Sequence, residues 1–416
     1  GVLESVTSKE YAKIEKSGSK REELVEPFTN YFVGRVQKDF NNRNTFFGGM
    51  LTATNRKLEE NLNHLRKEAL TWGLDFRHQW KNRTYYLEGN LIGSYVSGSK
   101  EAIENTQLSI THLFQREGAK NVSVDPTRTS LTGTGGKLGF GKEAGGNFTF
   151  HSGVVWKSPE LELNDIGFLR QADEIRQYAT LNYKTLKPFG KFRQLNLRLR
   201  QHTTFDFDGN HNRLEYQING SASLRNYWGM DFGGAHKPRI YVNTMLRGGP
   251  RWKYSEENYG FLFVGSDSRK KLRLVGGIIY SQAKQNNFSL LRLEGGITYQ
   301  PTNALQVSIH PEYSRNPTKT QYVSTKKYNG SNRYILGSMN NQTFSSAIRL
   351  NYTVNPNLSI QYYGQPFISR GRFKNFKYVT NPVADNLYDR FYQYPNNEIS
   401  ENNGDFLVDE NIDGVT

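Results

Sequence analysis

Between Ser158 and Arg176 the chain sets Glu160, Glu162, Asp165, Arg170, Asp173, Glu174 and Arg176 around an apolar core of Leu161, Leu163, Ile166 and Phe168. Acids and arginines interleaved at this density select solutes when they ring a water-filled constriction. The segment is too charged to cross lipid, so it reads as a loop. As a plain surface loop it would only cap strands. Asp409, Asn411 and Asp413, followed by Gly414, open like an EF-hand calcium loop, in which alternate oxygens converge on the ion and Gly permits the sharp turn. The twelfth position of such a loop, which supplies a bidentate Glu, would fall past Thr416, and acidic turns of this kind are common without metal. A third group, Arg198, Arg200, Arg292 and Arg349, suggests a basic lumen wall. Such charges are tolerable where water fills the interior or where acids such as Glu215 and Glu294 face them.

For catalysis the residues offer little. Of the eight His, none sits in a zinc-binding H-E-x-x-H helix or beside a G-x-S-x-G elbow. His78, His112, His151, His202 and His310 fall on expected strands, which leaves room for a Ser-His-Asp set in a lipid- or peptide-cleaving barrel enzyme. The reading adopted is that the chain is not an enzyme and carries no cofactor beyond the calcium candidate.

The elements that position these groups follow from a period of two. Leu305, Val307, Ile309 and Tyr313 alternate with Gln306, Ser308, His310 and Glu312; Leu195, Leu197 and Leu199 alternate with Asn196, Arg198 and Arg200. Side chains alternate across a strand, so each run has one oily and one polar side. Roughly sixteen such segments of about ten residues each, without a convincing amphipathic helix between them, match the signature of an antiparallel transmembrane β-barrel. Strands are expected at 28–39, 44–56, 69–81, 84–97, 106–116, 130–142, 146–157, 175–187, 191–206, 212–225, 227–245, 259–267, 271–284, 288–300, 304–314, 333–340, 343–354 and 357–369. A further short strand is expected over Gly1 to Thr7, and Lys9 to Glu26 reads as a loop or short surface helix. Glycines inside strands, among them Gly135 and Gly136, relieve crowding at bends or leave room inside for a loop. A β-sandwich or propeller is the alternative, but it needs more inward apolar residues than these strands supply.

The bulk numbers agree. Hydrophobic residues make up 36% of the chain and mean hydropathy is -0.72, too polar for a helical membrane protein. The 25 Tyr and 25 Phe suit aromatic girdles at two membrane interfaces. No Cys is present, which excludes disulfides and thiolate metal sites. The charge of +15 is spread strand by strand, which favours anionic lipid headgroups and a basic lumen over nucleic acid.

Several stretches resemble the outer-membrane barrels of Bacteroidota in which a conserved barrel of unknown function (domain of unknown function 5916) follows a carbohydrate-binding-family-9-like domain. They are Glu-Pro-Phe-Thr-Asn-Tyr-Phe-Val-Gly-Arg-Val (26–36), Gly-Gly-Met-Leu-Thr-Ala-Thr-Asn-Arg (48–56), Ser-Pro-Glu-Leu-Glu-Leu-Asn-Asp-Ile-Gly-Phe-Leu-Arg-Gln-Ala-Asp (158–173), Gly-Ser-Asp-Ser-Arg-Lys-Lys (265–271) and Gln-Pro-Phe-Ile-Ser-Arg-Gly (365–371). The resemblance implies an outer-membrane location and glycan handling, with no established reaction. Against the family pattern the sugar-binding-like domain and the first and last barrel strands are missing, so residues 1–416 are expected to be the central part of a longer protein.

The expectation is therefore an all-β, antiparallel transmembrane barrel of roughly sixteen or more strands over 1–416, integral to the bacterial outer membrane. Its lipid partners are outer-membrane lipid and lipopolysaccharide. It would act as a channel or uptake component for a polar solute, with a glycan in view. The alternative is a structural or interaction subunit of a larger outer-membrane complex, its lumen plugged by its own loops.

Overall fold

The computed structural model describes residues 1–410. Twenty-one strands join one sheet, and every pairing with an assigned register is antiparallel. This is the all-β antiparallel fold class that the alternation predicts for a transmembrane barrel, with more strands than sixteen. The chain forms two compact units: residues 1–181 with 201–213 and 247–250, and residues 182–200 with 214–246 and the chain from 251 onward.

In the first unit Phe28–Phe40, Thr45–Lys57, Arg66–Trp80, Tyr85–Gly98, Ser130–Lys142 and Phe148–Lys157 pair in chain order. Directly opposed residues share a face. The register therefore sorts the side chains into Val36, Phe47, Leu51, Trp72, Leu74, Leu91 and Leu138 on one face and Arg35, Asp75, Arg77, Glu88 and Lys137 on the other. The apolar row is open, with Leu74 58% and Leu138 57% exposed. Polar groups on the opposite face are paired: Arg35 donates to both carboxylate oxygens of Asp75 at 2.9 Å, and Arg77 sits 3.2 Å from Glu88. Such a sheet is oily outside its own polar side, the reverse of a water-soluble sandwich.

In the second unit the pattern repeats through Gly229–Val242, Glu257–Gly265, Leu272–Ala283, Ser289–Tyr299, Leu305–Tyr328 and Ser331–Asn355. One end carries a dry core of Leu246, Trp252, Tyr334, Leu336, Leu387 and Phe391.

Four expectations are corrected. The segment 106–116 is not a strand: Lys100–Leu108 is an α-helix, and the chain beyond it is irregular as far as Ser130. The alternation of Leu108, Ile110, His112 and Phe114 imitates a strand, but Ser99 caps the helix by accepting from the Ala102 N–H at 3.0 Å. Ala102, Ile103 and Thr106 then bury one face. His112 accordingly leaves the strand assigned to it. Lys9 to Glu26 is a hairpin, Glu10–Lys16 with Ser19–Glu26, in which Ile14 opposes Arg21 and Glu15 opposes Lys20. Ser17 and Gly18 take φ of 52° and 78°, as a tight twisted hairpin turn requires. Finally, the strands expected at 304–314, 333–340 and 343–354 are two long ones of 24 and 25 residues, joined at Asn329-Gly330, and 357–369 is split into Leu358–Gly364 and Phe367–Arg370.

Candidate functional site

The charged loop lies on the polar face of the first unit. Gly133 and Gly135 create its seat. A Cβ on Gly133 would stand 2.2 Å from the Leu161 N, and one on Gly135 would stand 2.8 Å from the Leu161 Cδ2. Any other residue at 133 would lift the loop off the wall. Leu161 is buried there with Leu169 and Ala172, against Ile92 and Leu163. The Glu162 N–H donates to Ser94 Oγ at 3.0 Å, which fixes the loop to the neighbouring strand.

The loop's acids are each met by a cation. Asp165 lies 2.7 Å from Arg56 and 3.0 Å from the Arg66 Nε. Arg66 also reaches Glu162 at 3.5 Å and donates to Thr106 Oγ1 on the helix at 3.3 Å. Glu160 pairs with Arg128 at 2.8 Å in a half-open position. Asp173 pairs with Arg116 at 3.1 Å and accepts from the Phe207 N–H at 2.9 Å. Arg116 in turn lies 3.4 Å from Asp208, whose oxygens accept from the Lys120 and Asn121 N–H groups. Arg170 is exposed and stands outside this network.

Glu162 and His112 form the deepest pair, with side chains 3% and 0% exposed. The His112 Nδ1 is 2.7 Å from the Pro159 carbonyl, which can only accept, so Nδ1 carries a hydrogen. Its Nε2 is 3.1 Å from Glu162. Burial pushes the Glu162 carboxyl up, but the His112 hydrogen bond, the Arg66 charge and the Asn164 N–H outweigh it and hold the group below its ordinary value. At Asp173 the balance is reversed: burial raises the carboxyl and outweighs the Phe207 N–H and the Arg116 charge. A cleft of about 270 Å³ remains beside this latch, lined by Arg56, His64, Arg66, Asn105, Glu162 and Asp165 among others.

Chemically, this is a clamped loop. Its carboxylates are paired, with Arg56 and Arg66 on strands and with His112, Arg116 and Arg128 in the irregular chain after the helix, so they do not form the free acid ring that charge selection needs; what they do is hold the loop in place. The sequence reading found Glu160, Glu162, Asp165 and Asp173 but not their partners Arg56, Arg66, His112, Arg116 and Arg128. The signal within reach was Gly133 and Gly135, two strand positions of one face both reduced to glycine.

Of the arginines expected to form a basic wall, Arg292 and Arg349 share the polar face of the second unit with Glu294 and Glu312. Arg198 donates to Asn182 at 2.9 Å, and Arg200 is exposed two residues along the same strand. Arg292 lies 3.4 Å from Glu312 and 3.8 Å from Glu294. Arg349 stacks on the ring of Tyr363, the residue opposite it, at 4.9 Å. Of these four arginines Arg292 alone has carboxylates beside it among the described residues; Arg198 meets a neutral amide and Arg349 an aromatic ring. In the segment 265–271, Asp267 receives three hydrogen bonds from Arg269, led by its side chain, which pull the carboxyl down to about 2. The Arg269 guanidinium then lies over Tyr227 at 3.1 Å. Of the calcium candidates, the Asp409 N–H donates to the Glu398 carbonyl at 2.9 Å, whereas Asn411 and Asp413 lie outside the described residues. Among the described residues no three His, Asp or Glu side chains converge on a metal position.

A family model described as "Domain of unknown function (DUF5916)" matches residues 1–408. The chain belongs to this family. No curated protein matches it. Among solved structures it is similar to an anion-selective porin from Comamonas acidovorans, at 11% identity and TM-score 0.33 over 89% of this chain and 99% of that one. It is also similar to a BenF-like porin from Pseudomonas fluorescens Pf-5, at 10% identity and TM-score 0.35 over 88% and 95%. The siderophore receptor PirA from Acinetobacter baumannii gives 9% identity and TM-score 0.39 over 92% and 74%.

Proposed function

We propose that this DUF5916 chain is an integral outer-membrane β-barrel serving as a channel or uptake component for a polar solute, with a glycan the favoured class, and that 158–173 is its constriction. One observation carries the reading. The same strands that leave Phe47, Leu74 and Leu138 open on one face receive a charged, hydrogen-bonded loop on the other. Lipid suits the first face and water the second. Outer-membrane lipid and lipopolysaccharide would cover the apolar row; no catalytic group is invoked.

The test is conductance. The full chain, purified in detergent and reconstituted in planar bilayers, is expected to give step-like currents, and removing 163–168, which takes away Asp165 and its two arginine contacts, is expected to enlarge each step severalfold. A chain that passes no current in either form would end the channel reading. The second reading, a plugged structural or interaction subunit, is favoured by the pairing of Glu162 and Asp165 with wall cations. It predicts an intact chain that is silent and a shortened one that conducts.

A further inference from the structure

On the polar face of the second unit, Tyr259, Phe261 and Phe263 stand at alternate positions of the strand Glu257–Gly265. Three rings thus point to the side that elsewhere carries Arg292, Glu294 and Glu312. Their centroids are spaced 6.0 and 6.1 Å apart, at interplanar angles of 45° and 51°, so they form a continuous ladder along the strand. Phe261 and Phe263 each lean over a glycine. Gly233 opposes Phe261, and a Cβ there would meet the Phe261 ring at 2.6 Å; a Cβ on Gly277, opposite Phe263, would meet that ring at 2.0 Å. Glycines on both flanking strands give the rings floor space, so that a broad side faces away from the wall. None of the three rings is buried.

Charged side chains of both signs border the ladder. At one end Lys237 lies 2.8 Å from Glu257 and 5.9 Å above the Tyr259 ring. On one side, through Ile279 and Gly277, the next strand presents Arg292 and Glu294, and the strand beyond presents Glu312. Two strands span about 10 Å, within reach of one solute touching both rings and ions. Lys237 and Arg292 each have a carboxylate beside them, and Asp231 stands opposite Phe263 on the other flanking strand, so the border offers hydrogen-bond donors and acceptors with acids in excess.

We infer that this ladder is a binding track for a neutral oligosaccharide. A pyranose ring has an apolar C–H face and a rim of hydroxyls. The face stacks on a flat aromatic ring, and the rim bonds to side chains of both kinds. A hydrophobic solute would waste the charged border, an anion would be repelled by its excess of carboxylates, and a small inorganic cation would leave the spacing of the rings unused. The inference deepens the proposed function and rests on that reading for its physiological meaning, but binding can be measured without conductance.

The experiment is titration calorimetry of the full chain in detergent with maltohexaose, alongside block of bilayer current by the same sugar. Binding is expected in the intact chain and is expected to weaken at least tenfold in Phe261→Leu combined with Phe263→Leu, which still covers the two glycines but leaves Tyr259 as the single ring of the ladder. Phe261→Tyr is expected to bind as the intact chain does. Binding without current would leave the track standing and remove the channel. Absence of binding, or equal binding by the double Leu variant, would overturn the track whatever the current does. So would a chain that binds phenol but not maltohexaose, which would mark the ladder as a plain apolar patch.

Discussion

The polar faces of the two units have the same alternation and opposite fates. In the first, glycines at 133 and 135 admit a loop, and the acids that it brings are buried against Arg56, Arg66, His112 and Arg116. In the second, glycines at 233 and 277 admit only flat rings from the neighbouring strand, and Arg292, Glu294 and Glu312 stay more than a third exposed. Glycine in a strand is therefore the common device, and what it makes room for decides the outcome. A loop turns charge pairs into a latch, whereas rings leave them wet. Buried pairs are costly to break, and exposed ones contribute little.

That contrast can be broken most directly at Arg66. Arg66→Ala leaves Glu162 and Asp165 short of a cation and is expected to cost the docked loop about 3–5 kcal/mol, read as faster hydrogen exchange across 158–173. Unchanged exchange would show that the latch is not what holds the loop. Next comes Gly133→Val, where added volume against the Leu161 backbone is expected to cost about 1–3 kcal/mol and to enlarge the conductance step. If current and loop protection both match the intact chain, the seat is misassigned.

A smaller effect is expected from pH. Glu162 is held below its ordinary value, so its contribution to docking is complete above the unfolded carboxylate value and is lost as pH falls through the lower folded value. Asp173, raised by burial, acts in the opposite sense: its contribution is fully present below its unfolded value and is lost as pH rises through its folded one. Acidification should thus release the 160–166 half of the loop before the Asp173 end. Glu162→Gln should flatten that response, and a variant that still loosens in acid as the intact chain does would refute the assignment. The smallest effect belongs to Arg292→Ala, expected to change stability by no more than about 1 kcal/mol in denaturant titration. A loss as large as that of Arg66→Ala would erase the distinction between the two faces.

Much of this fold was legible because side-chain period is a local property. Leu305, Val307 and Ile309 declare a strand and its oily side without any knowledge of neighbours, and the charge density of 158–176 excludes a spanning segment equally locally. What could not be read was partnership. Arg56 meets Asp165 across 109 residues and Arg66 meets Glu162 across 96, and nothing near either arginine marks it. The helix Lys100–Leu108 was missed because Leu108, Ile110, His112 and Phe114 mimic a strand just where its cap and short length leave few helical repeats. The long hairpin was missed for a different reason. Its turn, Asn329-Gly330, with φ of 48° and 77°, is a strong hairpin signal that stood in plain view, but strands of such length lie outside ordinary expectation.

That hairpin has a topographic consequence. Its apolar row, Leu305, Val307, Ile309 and Tyr313, is spent within its first ten residues, yet the strand continues to Tyr328. At about 3.4 Å per residue the remaining stretch is roughly 50 Å long, which at the usual tilt of barrel strands is about 40 Å of height. If the chain spans the outer membrane as proposed, an epitope tag spliced at Asn329-Gly330 would stand clear of the bilayer, and the side of a cell from which an antibody reaches it would report the orientation of the chain.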